Sequence, residues 1–174
     1  KPDLRRKARL VLNGKIVNSD DLDKYAPVLE IRSSRILSVV AKQKQQKLFL
    51  ADIGNAYVNA PTREMIWSVA DPEFGDKAGK TVIVKKAVYG LPTSAREWNA
   101  HLAKTLHDMG FKRSIGESSI WLKWNQTDEL WDYIGTYVDD LIIVTKNEKP
   151  YLDQLSKKYV VKDIAALGMY LGQG

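Results

Sequence analysis

Apolar residues recur at helical spacing in three parts of the chain. The first part predicts a helix of about three turns on Ile31, Ile36, Leu37, Val40 and Ala41. The second begins where Ser94 and Glu97 have the spacing of a capping box, and its apolar stripe is Trp98, Leu102, Leu106 and Met109. The third begins near Asn147, has Pro150 in its first turn, and continues through Leu152, Leu155 and Tyr159.

Short apolar runs between these helices predict strands. They cover residues 48–51, 64–69, 81–86, 119–124, 131–137 and 141–144. Near the N-terminus, Asn13-Gly14 separates two more apolar runs and predicts a β-hairpin over residues 9–17, because this dipeptide readily takes the positive φ values of a type I′ turn. Helices and strands are thus mixed along the chain.

The composition is that of one folded soluble domain. Of the 174 residues, 44% are hydrophobic and 28% are charged. With no cysteine, the chain has no disulfide, no thiolate zinc site and no cysteine nucleophile. No apolar run approaches the roughly 18 residues of a membrane helix, and residues 1–10 have no apolar signal-peptide core. We therefore expect neither a membrane-spanning nor a secreted form.

The net charge of +6 is concentrated in the N-terminal third. Residues 1–50 contain 12 Lys and Arg against 5 Asp and Glu, whereas residues 51–174 contain 15 against 16. A basic region of this kind suits a polyanionic partner such as a nucleic acid, through phosphate neutralisation and counterion release. A well-solvated basic surface is the alternative interpretation of the charge alone.

Asp52 and the adjacent pair Asp139-Asp140 are the candidate catalytic carboxylates. Asp52 directly follows the apolar run 48–51, and the pair directly precedes the run 141–144. If these two strands are neighbours, three carboxylates meet at one end of a sheet. Such hard oxygen ligands suit magnesium and two-metal phosphoryl transfer, and the cations would offset the repulsion among the carboxylates. Taken alone, an Asp-Asp pair is also ordinary turn chemistry.

Three segments resemble reverse transcriptases. Tyr137-Val138-Asp139-Asp140, followed by an apolar strand, is similar to their signature box. Asp52, followed five residues later by Tyr57, resembles their first catalytic motif. Residues 86–98 resemble the K-A-L-Y-G-L-K-Q-A-P-R-A-W segment of copia-type LTR retrotransposons, and this match separates the copia type from retroviral relatives.

Shorter matches follow in the same order over nearly the entire chain. Residues 7–11, 25–28, 110–111, 161–164 and 170–172 resemble the family segments K-A-R-L-V, F-A-P-V, G-F, M-K-D-L and F-L-G. The chain also departs from the family. Pro92 and Ala95 replace a lysine and a proline of the third motif, and the D-V-K-T-A-F-L-N-G box appears as residues 52–60 with Gly54 and Asn55 inside. The departures spare the carboxylates and affect positions that would contact substrate.

The resemblance implies an α+β fold, namely the fingers and palm of a right-hand polymerase, with a mainly antiparallel palm sheet packed on helices. Residues 1–50 and 61–88 would build the fingers, and residues 51–60 and 89–174 would build the palm. Thumb, connection and ribonuclease H regions would follow Gly174, so that the thumb is absent from this chain.

The resemblance also implies roles for site residues. Asp52 and Asp139 would bind both Mg²⁺ ions, for which Mn²⁺ could substitute. Asp140 would be a third, less central carboxylate, and the Ile53 backbone carbonyl would complete one metal shell. Tyr57 would be the steric gate that excludes a ribose 2′ hydroxyl and selects dNTPs; a core aromatic residue is the alternative interpretation.

The same carry-over assigns nucleotide and primer contacts. Arg9 resembles the fingers arginine that stacks on the incoming base and contacts the triphosphate. Lys7 is a weaker phosphate candidate, better explained as an exposed residue of a basic hairpin. Tyr89-Gly90 would lie under the nascent base pair, where glycine permits close approach of the backbone. Tyr170, Leu171 and Gly172 would lie in the hairpin that grips the primer terminus.

The implied function is that of an RNA-directed and DNA-directed DNA polymerase of a retrotransposon. It would bind an RNA template with a DNA primer and dNTPs, and it would work in cytoplasmic virus-like particles. The alternative is a non-catalytic nucleic-acid-binding or assembly module derived from a truncated polymerase core.

The histidines and tryptophans are interpreted as structural residues and not as ligands. His101 and His107 are six residues apart on one predicted helix, so they do not share a face as a metal-binding pair would. Trp98 lies on the apolar stripe of its predicted helix. We predict that most of the five tryptophans are core residues.

Overall fold

Periodic apolar positions become helices and short apolar runs become strands over the part of the chain that the structure describes. The structure is a computed structural model that describes residues 11–12 and 24–166, with side chains described through residue 162. The helices and strands are α1 (Ile31–Gln43), β1 (Lys47–Ile53), α2 (Ala56–Asn59), β2 (Pro61–Val69), β3 (Thr81–Lys86), α3 (Ser94–Asp108), β4 (Lys112–Arg113), β5 (Ile120–Asn125), β6 (Leu130–Tyr137), β7 (Asp140–Thr145), α4 (Lys149–Ser156) and β8 (Val161–Ala166).

The chain divides into two units, which we call the hairpin unit and the sheet unit. The hairpin unit includes Tyr57–Trp98, and the sheet unit includes Ala26–Ala56 and the chain from Asn99 onward. Among the residues that the structure describes, none of the helices has the length and apolar character needed to span a bilayer.

The sheet unit is built on six antiparallel strands in the order β4-β5-β6-β7-β1-β8. Helix α1 packs on this sheet through Leu37 and Ala41, which join Leu29, Leu48 and Val144 in one buried cluster. The helix lies close to Gly135 of β6, where a methyl group built on the glycine would lie 3.0 Å from Leu37 Cδ1. This packing holds β1, which follows α1, inside the sheet between β7 and β8.

Helices α3 and α4 bury the apolar positions that their sequence patterns predict. Trp98, Leu102 and Leu106 of α3 are buried, and so are Leu152 and Leu155 of α4. His101 packs edge-on against Tyr159, and His107 packs edge-on against Trp121. The two histidines therefore make separate aromatic contacts.

The hairpin unit contains a two-stranded antiparallel sheet. Strands β2 and β3 pair with Trp67 opposite Ile83, and a 3₁₀ segment at Pro72–Lys77 lies in their connection. The base of the hairpin is closed by the Ala87 N–H, which donates to the Ala60 carbonyl at 3.0 Å. Trp67 and Ile83 are both exposed.

The structure confirms the three predicted helices, the six predicted strands and the antiparallel sheet packed on helices. The short strand β4 and the edge strand β8 had no sequence prediction, and α4 ends at Ser156 rather than continuing to Tyr159. The hairpin predicted over residues 9–17 lies largely outside the described residues. The assignment of fingers and palm stays a prediction.

The capping box predicted for α3 is wrong, although the helix is right. The Ser94 hydroxyl donates to the Val88 carbonyl at 2.6 Å, and the Glu97 N–H donates to the carbonyl of Thr93. The buried Glu97 carboxylate forms an ion pair with Arg63 at 3.4 Å. Both side chains of the expected box therefore have tertiary partners that replace the local exchange of hydrogen bonds.

The tryptophan prediction is also wrong for most of these residues. Trp98 and Trp121 are each only 1% exposed, but Trp67, Trp124 and Trp131 are 58%, 45% and 46% exposed. The reason is positional, since Trp124 and Trp131 form a cross-strand pair near the turn that joins β5 and β6, with ring centroids 5.4 Å apart.

Candidate active site

Asp52 and Asp140 are opposite each other on the neighbouring strands β1 and β7. The antiparallel register runs from Lys47 opposite Thr145 to Asp52 opposite Asp140. The Ile53 N–H donates to the Asp139 carbonyl at 2.8 Å, which links the end of β1 to the loop between β6 and β7. The predicted adjacency of the two acidic segments is therefore confirmed, with Asp52 one residue inside β1 rather than beyond its end.

A two-residue connection presents Asp139 and Asp140. Tyr137 pairs with Asp140 across β6 and β7, which leaves only Val138 and Asp139 in the loop. Val138 has a φ of 53°, a left-handed conformation that is costly for a β-branched residue. Strain of this kind persists only where the surrounding structure enforces it, and here two paired strands do so.

Asp139 and Asp52 are close enough to Asp140 to affect its pKa. Partial burial of its carboxyl group raises the pKa of Asp140 above the ordinary aspartate value, and the negative charges of Asp139 and Asp52 raise it further. Asp140 is nevertheless exposed as a residue, whereas Asp52 and Asp139 are half-buried. The end of the sheet is thus a site of concentrated negative charge that water can reach.

Strand β8 brings a lysine to the other side of Asp52. Lys162 is the register partner of Asp52 across β1 and β8, and the Gly54 N–H donates to the Val160 carbonyl at 2.8 Å. Lys162 lies in the segment 161–164 that resembles the family sequence M-K-D-L, and no role was predicted for it. The signal that could have found it is an alternating pattern in residues 161–166, which is too weak to identify an edge strand.

The donor set suits divalent cations, although it is not assembled into a cluster. Carboxylate oxygens are the ligands that Mg²⁺ prefers. Burial and the negative charges of Asp139 and Asp52 raise the pKa of Asp140, and a bound cation would offset those charges. Across the described residues, no group of three or more His, Cys, Asp or Glu side chains has the arrangement of a metal site. Asp52, Asp139 and Asp140 thus have the chemistry of Mg²⁺ ligands, and the strand register brings them to the same end of the sheet.

The predicted nucleotide residues Tyr57, Tyr89 and Gly90 lie in the hairpin unit. The rings of Tyr57 and Tyr89 are in contact, with centroids 4.8 Å apart and a tilt of 53°. Gly90 has a φ of 92°, and a methyl group built on it would lie 1.9 Å from the Leu12 carbonyl oxygen. Gly90 is therefore required by close approach of this chain's own backbone, and its role toward a nucleotide stays a prediction.

Five predicted site residues lie outside the described part of the chain. They are Lys7, Arg9, Tyr170, Leu171 and Gly172. Their proposed contacts with the triphosphate and the primer stay predictions.

Comparisons with known proteins agree with the motifs. A family model described as reverse transcriptase (RNA-dependent DNA polymerase) matches residues 1–174. The chain is similar to the retrovirus-related Pol polyproteins from transposons RE1 and RE2 of Arabidopsis thaliana, each 31% identical over 97% of this chain. It is also 25% identical, over 94% of its length, to the Transposon Ty1-GR1 Gag-Pol polyprotein of Saccharomyces cerevisiae. The chain spans 12% of each Arabidopsis protein and 9% of the yeast protein.

Proposed function

Because this chain belongs to the reverse transcriptase (RNA-dependent DNA polymerase) family and resembles its copia-type members, we propose that it is part of a retrotransposon polymerase. The polymerase would extend a DNA primer on an RNA or DNA template with dNTPs. The observation that carries this proposal is the register of Asp52 with Asp140 beside Asp139, which gathers three carboxylates at one sheet end.

Asp52 and Asp139 would hold two Mg²⁺ ions, with the Ile53 carbonyl as a further ligand. When bound, the ions would lower the charge barrier to attack by the primer 3′ hydroxyl on the α-phosphate and stabilise the leaving pyrophosphate. The protein contributes a fixed backbone to this chemistry. The short loop and the hydrogen bond from Ile53 to Asp139 hold the two backbone segments in one register.

The hairpin unit would supply contacts to the nucleotide. Tyr57 would exclude a 2′ hydroxyl, and its ring is supported in that role by its contact with Tyr89. Gly90 would admit the nascent base pair, Arg9 and Lys7 would contact the triphosphate, and residues 170–172 would contact the primer. We assign these residues to fingers and palm, and the intact polymerase to cytoplasmic particles, by similarity to the family.

Primer extension tests this function directly. The unmodified chain would add one dNTP to a primer annealed to RNA, with Mg²⁺ or Mn²⁺, and Asp52→Asn and Asp139→Asn would each abolish the addition. Asp153→Asn is the matched control, because it makes the same chemical change on the exposed side chain of Asp153 in α4, away from the acidic site. All four proteins should have the same circular dichroism spectrum.

A non-catalytic nucleic-acid-binding module is the second candidate. It is favoured by one observation, that the described carboxylates do not form a group with metal-site geometry. Duplex binding without nucleotide addition, unchanged in Asp52→Asn and Asp139→Asn, would support this candidate and contradict the polymerase.

A further inference from the structure

The sheet unit carries a groove at the end of β6 opposite the acidic site. At the acidic end, Tyr137 of β6 pairs with Asp140. Trp131 lies near the other end of the strand, about 20 Å from Tyr137 along an extended backbone. The groove has a volume of about 800 Å³ and is lined by β5, the turn that follows it and the first turns of α4. It is therefore separate from the carboxylates of the acidic site.

Two exposed indole rings form one wall of the groove. Trp124 and Trp131 are opposite each other on β5 and β6, and their rings meet edge to face. Each side chain is nearly half exposed, although a cross-strand pair of this size could bury most of its area under a covering element. Large aromatic rings that stay exposed together are characteristic of binding surfaces, because a flat ligand can cover them.

Side-chain hydrogen bonds fix the aromatic wall. The Asn125 side-chain oxygen accepts hydrogen bonds from the backbone N–H groups of Thr127 and Asp128, at 3.0 and 3.3 Å, which orders the turn between β5 and β6. The Asn125 amide donates to the buried Asp132 at 2.9 Å, and the Tyr151 hydroxyl donates to the same carboxylate, so the turn is anchored to α4. A surface ordered in this way loses little conformational entropy when a ligand binds.

Lysines give the groove a positive charge. Lys112, Lys123 and Lys146 line it, against the single carboxylate of Asp128. Lys146 forms an ion pair with Asp128 at 3.7 Å, whereas Lys112 and Lys123 have no carboxylate partner within the part of the chain that the structure describes. Residues 51–174 as a whole contain 15 basic and 16 acidic residues, so the groove is a local concentration of positive charge.

We propose that this groove is an accessory binding site for single-stranded nucleic acid, distinct from the site that would hold the primer terminus. The indoles would stack on unpaired bases and the lysines would contact phosphates, which is how proteins hold single strands without sequence preference. An acidic protein segment would match the lysines but would supply no flat partner for the indoles. The inference goes beyond the polymerase function, because it requires neither metal ions nor nucleotide addition.

Fluorescence anisotropy of a labelled, unstructured RNA of about twelve nucleotides, titrated with the folded chain in EDTA, measures this binding. Without divalent cations, the carboxylates of the acidic site repel a phosphate backbone. Trp131→Leu should weaken binding about tenfold, the size expected for the loss of one stacked base. Lys112→Gln should lower the slope of log K against log salt concentration by about 0.7, the effect of one phosphate contact on a single strand.

Trp67→Leu and Lys77→Gln are the matched controls, because both side chains are exposed in the hairpin unit and neither lines the groove. Both should bind the RNA as the unmodified chain does. Trp124→Leu tests the aromatic wall a second time, from the neighbouring strand. RNA should quench tryptophan fluorescence in the unmodified chain and in Trp67→Leu, and it should quench less in Trp131→Leu. All variants should keep the circular dichroism spectrum of the unmodified chain.

No RNA binding by the unmodified chain, or equal affinity in Trp131→Leu, Trp124→Leu and the unmodified chain, would overturn the proposal. Weaker binding in Lys112→Gln alone would indicate electrostatic attachment without stacking and would also overturn it. Tighter binding of a glutamate-rich peptide than of RNA would assign the groove to an acidic protein partner instead. Failure of the polymerase function is a separate result, because it appears as absent primer extension while RNA binding in EDTA persists.

Discussion

Asp52 and Asp140 occupy the last register pair between β1 and β7, so residues from distant parts of the sequence meet at one sheet end. Two features impose this arrangement. Helix α1 packs on the sheet and leads directly into β1, which lies between β7 and β8, and the Ile53 N–H donates to the Asp139 carbonyl at the end of that strand. The acidic site is therefore a product of strand order. Backbone hydrogen bonds hold its residues together, and substitutions that neutralise the carboxylates would leave those hydrogen bonds in place.

The raised pKa of Asp140 predicts that Asp140→Asn stabilises the fold at neutral pH. Burial and the charges of Asp139 and Asp52 disfavour the ionised form in the folded state, so the folded chain holds this proton more tightly than the unfolded chain. The free energy of unfolding therefore falls as pH rises through the raised pKa of Asp140, and the full destabilisation by its ionised carboxylate is present at pH 7. Screening at an exposed site limits the gain in Asp140→Asn to less than about 1 kcal/mol.

Urea unfolding at pH 7 and at a pH below the ordinary aspartate pKa measures this effect. The stabilisation should be present at pH 7 and absent at the lower pH, where Asp140 is protonated in both states. Asp153→Asn controls for a general loss of negative charge. A destabilised Asp140→Asn at pH 7 would mean that its carboxylate makes a favourable contact that outweighs the repulsion.

The left-handed conformation of Val138 predicts that Val138→Gly stabilises the loop. The φ of 53° costs roughly 1–2 kcal/mol for an L residue, and the greater chain entropy of glycine when unfolded costs about 0.5–1 kcal/mol. The net gain should be about 0.5–1 kcal/mol in urea unfolding. Val160→Gly is the control, because Val160 does not have a positive φ and the same change should destabilise. Equal destabilisation by both substitutions would show that the Val138 backbone is not strained.

Gly90→Ala should be much more damaging than Gly79→Ala. Both glycines belong to the hairpin unit and have positive φ, 92° and 75°, so both substitutions carry the same backbone cost of roughly 1–2 kcal/mol. A methyl group on Gly79 meets nothing within 4 Å, whereas one on Gly90 would lie 1.9 Å from the Leu12 carbonyl oxygen. The difference between the two unfolding free energies isolates the clash. Similar values would show that Leu12 moves aside at little cost.

Local patterns were sufficient to predict the helices and the buried strands. The stripe of α3 has the helical period, and the apolar run of β7 is short and rich in β-branched residues, so tertiary context had little to decide. The three carboxylates could be identified because each lies beside such a run. What could not be predicted was the neighbour of Asp52 on its other side. Strand β8 is an edge strand with weak alternation, and only pairing with β1 reveals Lys162.

Side-chain partners were predicted less well than elements. The Ser94 and Glu97 spacing has an obvious local interpretation, yet the Val88 carbonyl and Arg63 are the partners that these side chains find. Both partners are distant enough in sequence that no local pattern contains them. Trp124 and Trp131 likewise pair across two strands near a turn, where the sheet gives them little cover. Burial depends on where an element ends, and element ends are the least certain part of a sequence pattern.

Removal of the Tyr151 hydroxyl, which donates a hydrogen bond to the buried Asp132, should lower the free energy of unfolding substantially. Asp132 is fully buried in β6 and accepts hydrogen bonds from Gln46 at 3.1 Å, Asn125 at 2.9 Å and the Tyr151 hydroxyl at 2.5 Å. Burial, this hydrogen bond and the charge of Asp132 raise the pKa of Tyr151, so the phenol remains a donor at all ordinary pH values. Tyr151→Phe should therefore destabilise the fold by about 1.5–3 kcal/mol, the range for hydrogen bonds to charged groups.

Tyr159→Phe provides the matched comparison, because the hydroxyls of Tyr159 and Thr105 are also buried partners, 2.7 Å apart, but both are neutral. Its cost in urea unfolding should be about 0.5–1.5 kcal/mol, clearly less than that of Tyr151→Phe. Because Asn125 and Gln46 still donate to Asp132 in Tyr151→Phe, the carboxylate stays partly satisfied and the chain should still fold. Equal costs for the two substitutions would mean that the charge of Asp132 adds nothing to the bond and that these two amides already satisfy the carboxylate.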